Sequence, residues 1–255
     1  MTTYRLRPAL RIAAPQILTG VRVMLAMYAI HLASREQTDV AAALLLFGLA
    51  TDALDGACAR KLGVTTEFGK LLDSFADHLY YVVAPAAISL FLAGSPGTGS
   101  VFLLTIPCLF GAMRYSRKAG VSETEFPGIP GSPGLPTLAY ALFVIALTFL
   151  RREGAIEAGL LAILLTAGAP VFGFLMVART RFPKLSVYPW IVVPILIGLV
   201  ILPFALTAPL SLATIVLIGL YVIIGPFLVP QHAAAHTAGS SGTHSAHLAA
   251  NRPPQ

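Results

Sequence analysis

Four aspartates, two glycines, an alanine and an arginine recur at fixed intervals between two long apolar runs: Asp52-x-x-Asp55-Gly56-x-x-Ala59-Arg60, then eight residues, then Gly69-x3-Asp73-x3-Asp77. On helices, spacings of three and four place each aspartate pair on one face. Asp52 and Asp55 close one apolar run and Asp73 and Asp77 open the next, so a turn between them sets the pairs face to face. Four carboxylates in such proximity repel, and in a low dielectric they need cations to stay ionised. Hard divalent ions such as Mg²⁺ or Mn²⁺ meet that need because they prefer oxygen ligands. Two such ions shared by Asp52, Asp55, Asp73 and Asp77 suit displacement at phosphorus, where the attacking and leaving oxygens both carry charge.

The remaining positions suit a phosphate-bearing substrate. Gly56 and Gly69 remove side chains where a ligand must approach the backbone, Ala59 keeps the surface between them low, and Arg60 offers a permanent fork of donors. His78 follows Asp77 directly but points about 100° away on a helix, which predicts a polar residue at the rim.

The chain around this cluster reads as a membrane protein. Of its 255 residues, 56% are hydrophobic and 11% charged, against roughly 25% charged in soluble domains; mean hydropathy is +0.80. A membrane helix needs ~20 mostly apolar residues, and eight stretches qualify, near 15–33, 40–60, 68–93, 99–118, 135–150, 156–178, 186–206 and 209–229. The fifth is the shortest and starts within a Pro/Gly segment. The first apolar run is too long for the ~7–15-residue core of a signal peptide, so it is expected to be a retained span. The expected class is therefore all-α, a polytopic membrane protein.

With the N-terminus inside, only Arg35, Arg151 and Arg152 of the 17 Lys and Arg residues fall on the outer side. Positive residues favour the cytoplasmic side, which places the aspartate hairpin and both termini there. The segment between Ala119 and Pro136, dense in Pro and Gly, forms a stiff loop on the same side. Cys58 and Cys108 lie in apolar segments without ligand-spaced partners and are expected to be buried hydrophobes. The last stretch, 230–255, has too little apolar content to pack and reads as a solvated, disordered tail despite its histidines. Intramembrane carboxylates also mark ion-coupled transporters, but those bind near the midplane, often between inverted repeats; here the acids sit near one surface and no repeat is evident.

The eight specified positions from Asp52 to Asp77 match, without gap or substitution, the signature of the CDP-alcohol phosphatidyltransferase family, which the chain resembles over roughly residues 12–184. The resemblance implies a six-helix core over 1–184, followed here by an added hairpin over 185–229. It also implies divalent metal on the four aspartates and a CDP-linked lipid on Gly56, Ala59, Arg60 and Gly69. In the implied reaction a phosphatidyl group passes from CDP-diacylglycerol to an alcohol, CMP is released, and Asp77 is the general base.

Three segments resemble phosphatidylserine synthases: Gly111-Ala-Met-Arg114-Tyr-Ser-Arg117, Gly134-Leu135-Pro136-Thr137, and Leu175 to Lys184. Serine carries a carboxylate, which makes Arg114 and Arg117 candidate acceptor-binding residues. Three departures bear on the acceptor. Leu138 replaces a second proline, Lys118-Ala119 replaces Phe-Asn, and Pro15-Gln16-x-x-Thr19-x-x-Arg22 is similar to the start of glycerophosphate and inositol-phosphate members. Glycerol 3-phosphate, inositol phosphate and choline thus stand as alternative acceptors. The implied partners are the bilayer, the CDP-lipid, the alcohol and a second copy of the chain, with no nucleic acid; the implied location is the cytoplasmic membrane of a bacterium.

Overall fold

The computed structural model describes residues 3–49, 66–94, 97–120, 132–182 and 207–228. The chain starts with α1 (Thr3–Ser34) and α2, described over Thr38–Leu49. Next among the described residues come α3 (Glu67–His78), a π-helical turn (Leu79–Val83) and α4 (Ala84–Leu92), which run on as one rod. They are followed by α5 (Thr98–Gly120), α6 (Thr137–Arg152), α7 (Ala158–Val177) and α8 (Thr207–Leu228). Two residues before α6 (β1, Ser132–Pro133) pair antiparallel with two after α7 (β2, Arg181–Phe182). The fold is helical, as expected, and seven of the eight anticipated spans overlap a described helix. The remaining one, at 186–206, lies outside the described residues, as do residues 52–60 and 230–255.

Among the described residues four helical stretches are long and apolar enough to cross a bilayer: Gln16–Ser34, Glu67–Leu92, Ala158–Val177 and Ala208–Phe227. Their outer faces are apolar; Phe227 is 86% exposed and Met24 73%. In water such surfaces would drive association, whereas in lipid they are the matching solvent. The short fifth span has a different explanation. α6 has 16 residues, short for a helix that faces lipid along its length. It is enclosed by α4, α7 and α8 and buries Tyr140, Val144, Ile145, Leu147 and Phe149. The polar side chains it and its neighbours carry turn back onto their own helices: Ser89 donates to the Pro85 carbonyl, Thr148 to Val144 and Thr214 to Leu210. A hydroxyl satisfied in this way needs no water.

The π-helical turn comes immediately after Asp77-His78. Pro85 has no N–H, so an α-helical ladder through it would strand a carbonyl; the turn widens instead, and the Ala84 N–H bonds to the Leu79 carbonyl five residues back. The extra residue rotates the rod beyond Asp77 relative to the acid-bearing turns. It points Tyr80 at α2, where its hydroxyl reaches the carbonyls of Leu44 and Leu45, each at 2.8 Å. A side chain at Gly48 would collide with that hydroxyl. Tyr80 and Gly48 therefore lock α2 against the rod that begins with α3.

Candidate active site

Thr66 caps α3: its Oγ1 accepts from the Gly69 N–H at 3.0 Å, which satisfies one of the free donors of the first turn. From there Gly69, Asp73 and Asp77 follow at intervals of four and line one face of the helix. Asp73 is half exposed and Asp77 18% exposed. The sequence expectation that these carboxylates share a face is met.

Their common partner is a residue that reading the hairpin alone misses. Arg22, in the middle of α1 and fully buried, donates from Nη2 to Asp73 Oδ1 at 2.7 Å and to Asp77 Oδ1 at 3.0 Å. The signal for it was present in the sequence: a cation within an apolar span needs an opposite charge or a polar lining. Thr19, one turn earlier on α1, is also buried.

Asp77 looks onto a polar cluster on the other side. Tyr81, Arg114 and Tyr115 all lie within electrostatic reach of it. Tyr115 is buried and its hydroxyl shares a 2.8 Å hydrogen bond with Thr137 Oγ1 at the start of α6. His78 is half-buried. It stands edge-on to Tyr115 of α5 with ring centroids 5.9 Å apart, and a side chain at Gly111 would press on its Nδ1 at 3.1 Å. The polar residue expected at the rim is thus partly covered by α5.

The three subfamily segments converge here. Arg117 on α5 donates to the Val177 carbonyl at 3.1 Å. Gly134 donates to Thr180 and Leu135 to Leu175, both at 2.9 Å. Gly134 has φ +73°, and any side chain on it would overlap the Met176 carbonyl. The Gly-Leu-Pro segment is thus seated on the exit of α7 and satisfies carbonyls that a helix end leaves open. Arg117 is exposed and engaged with backbone, while Arg114 lies within electrostatic reach of Asp77. Tyr221 of α8, which packs on Phe182 at 5.7 Å between ring centroids, is also within electrostatic reach of Arg114, so a helix beyond the expected core comes near the site.

Asp52, Asp55, Gly56, Ala59 and Arg60 lie outside the described residues. Among the described residues no three His, Cys, Asp or Glu come together as a metal site, and only Asp73 and Asp77 of the four expected ligands are described. Those two suit a hard cation: one oxygen of each converges on a single positively charged nitrogen, so the carboxylates already point at a common cation.

Comparison with known proteins agrees with the geometry. A family model described as CDP-alcohol phosphatidyltransferase matches residues 12–174. A CDP-diacylglycerol–serine O-phosphatidyltransferase of Helicobacter pylori is 30% identical over 212 residues, covering 83% of this chain and 88% of that protein. The enzyme of the same name from Bacillus subtilis is 29% identical over 171 residues, 66% of this chain and 89% of its own length. A phosphatidylcholine synthase of Mesorhizobium japonicum is 31% identical over 144 residues, 54% of this chain and 53% of its own. The match spans α1 through most of α7, the helices that carry Arg22, the acid face and the Arg114 cluster, and with it this membrane-embedded chain belongs to the CDP-alcohol phosphatidyltransferase family.

Proposed function

We propose that the protein transfers the phosphatidyl group of CDP-diacylglycerol to L-serine, giving phosphatidylserine and CMP. The observation that carries the choice of acceptor is the convergence of the segments Gly111–Arg117, Gly134–Thr137 and Leu175–Phe182 beside Asp77, with Arg114 among them. The names of the Helicobacter and Bacillus relatives, which align over most of their lengths, support it.

In this reading Asp52, Asp55, Asp73 and Asp77 hold divalent metal, Mg²⁺ or Mn²⁺, and the hard oxygen donors of Asp73 and Asp77 fit that role. When bound, the cations neutralise charge on the diphosphate and on the departing CMP. Arg60 grips the diphosphate, and Gly56, Ala59 and Gly69 leave room for it. Arg114 pairs with the serine carboxylate and turns the hydroxyl towards Asp77; Arg117 holds the α7 exit in place. Asp77 accepts the hydroxyl proton. The serine oxygen bonds to the phosphatidyl phosphorus as the bond from that phosphorus to the CMP oxygen breaks, and CMP leaves with the electron pair. The bundle of α1 to α4 orients the acids at the cytoplasmic face of the cell membrane, as the distribution of basic residues suggests.

Purified protein in mixed micelles with CDP-diacylglycerol and Mn²⁺ is expected to release CMP only when serine is added. Release with glycerol 3-phosphate, an inositol phosphate or choline in place of serine would overturn the acceptor.

A further inference from the structure

We propose that Arg22 is a positioning residue for the reaction, a built-in counter-cation that aims Asp73 and Asp77 before any metal arrives. The proposal rests on the reading above of these two aspartates as the reacting acids. Arg22 lies outside the hairpin, within the apolar stretch Gln16–Ser34 and nearer its start, with none of its surface exposed. A charge at that depth persists only with partners. Its Nη2 takes Oδ1 of both carboxylates, one helical turn apart on α3. That single nitrogen fixes the two acids relative to each other and ties α3 to α1. Further contacts surround this arrangement: Tyr80 and Tyr81, both buried, lie within electrostatic reach of Arg22. The bonds engage one oxygen of each carboxylate, so the guanidinium orients the acids rather than replacing a metal. Arg22 does not touch the alcohol in this scheme; it acts through Asp73 and Asp77.

The test uses the full chain in detergent. In chelator, Arg22→Gln should lower the thermal midpoint by at least about 5 °C, and its effect should be strongly non-additive with that of Asp73→Asn. The stabilisation by Mn²⁺ alone should be larger in Arg22→Gln than in the parent, since the ion then supplies the missing counter-charge. With substrates, kcat should fall roughly 10–100-fold, as for groups that orient metal ligands, with KM for serine little changed, and Arg22→Lys should recover part of the loss. An unchanged midpoint, additive effects, or a lysine variant no better than glutamine would overturn the proposal. If Arg22→Gln does not fold, the triple variant Arg22→Gln, Asp73→Asn, Asp77→Asn removes all three charges together and should fold; its failure to do so would also overturn it. The chelator and Mn²⁺ measurements need no substrate. A parent protein inactive with serine but showing the coupling would defeat the acceptor reading and leave this one standing.

Discussion

The two ends of the bundle hold their charges in opposite ways. At one end Arg22 is fully buried and bonds at 2.7 and 3.0 Å to two carboxylates on a neighbouring helix. At the other, Arg152 at the end of α6 faces Asp39 at the start of α2 across 3.8 Å, with 41% and 38% of these side chains exposed. The exposed pair is screened and has many alternatives in water, so it is worth ~0–1 kcal/mol. In the inner trio Arg22 is fully buried while Asp73 is half exposed, so loss of one carboxylate should cost more than at the exposed pair but less than the ~3–5 kcal/mol of a fully buried pair. Charge near the membrane is therefore informative only together with its burial. One end is built to hold acids in a chosen direction, and the other is a solvated rim.

Substitutions at the two ends should differ accordingly. The largest effect is expected for Asp77→Asn, which keeps the shape of the side chain but cannot take a proton. CMP release should fall by roughly 10²–10⁴-fold, and a variant with full turnover would remove Asp77 as the base. Gly134→Val should come next, because φ +73° and the adjacent Met176 carbonyl leave no place for a branched side chain. A loss of roughly 1–3 kcal/mol is expected in thermal unfolding, along with weaker serine binding as the loop lifts from α7. Arg114→Gln should raise KM for serine about 10–100-fold, in line with the ~1.5–3 kcal/mol of a charged hydrogen bond, and leave KM for CDP-diacylglycerol nearly unchanged. An equal rise in both would assign Arg114 to the diphosphate. The smallest effect belongs to the far rim: Arg152→Gln or Asp39→Asn should shift stability by less than ~0.5 kcal/mol and leave turnover alone. A large loss there would erase the contrast between the ends.

Much of this site was legible from residue types and spacing. Intervals of four along Gly69-x3-Asp73-x3-Asp77 can only stack on one face of a helix, and the structure shows that face. The spans announced themselves because a backbone in lipid has to be helical and its outer residues apolar. The short α6 was harder to read. At 16 residues it is short for a span that faces lipid, and only its enclosure by α4, α7 and α8 shows what it packs against instead. The partner of His78 was not legible for a related reason: helical rotation gives its direction, but that the α5 ring of Tyr115 lies in that direction is a tertiary matter.

Composition and apolar run lengths by themselves determined that this chain lives in a membrane, and spacing that Asp73 and Asp77 share a helix face, because each rests on local repeats along a helix; the family was legible as a resemblance of the signature. The tertiary structure decided which cation faces Asp73 and Asp77, that three segments far apart in the chain meet at the α7 exit, and that α8 comes near Arg114. Arg22 and Asp77 are 55 residues apart. No local pattern links residues at that distance; only the packing of α1 against α3, driven by the need to pair a charge away from water, brings them together.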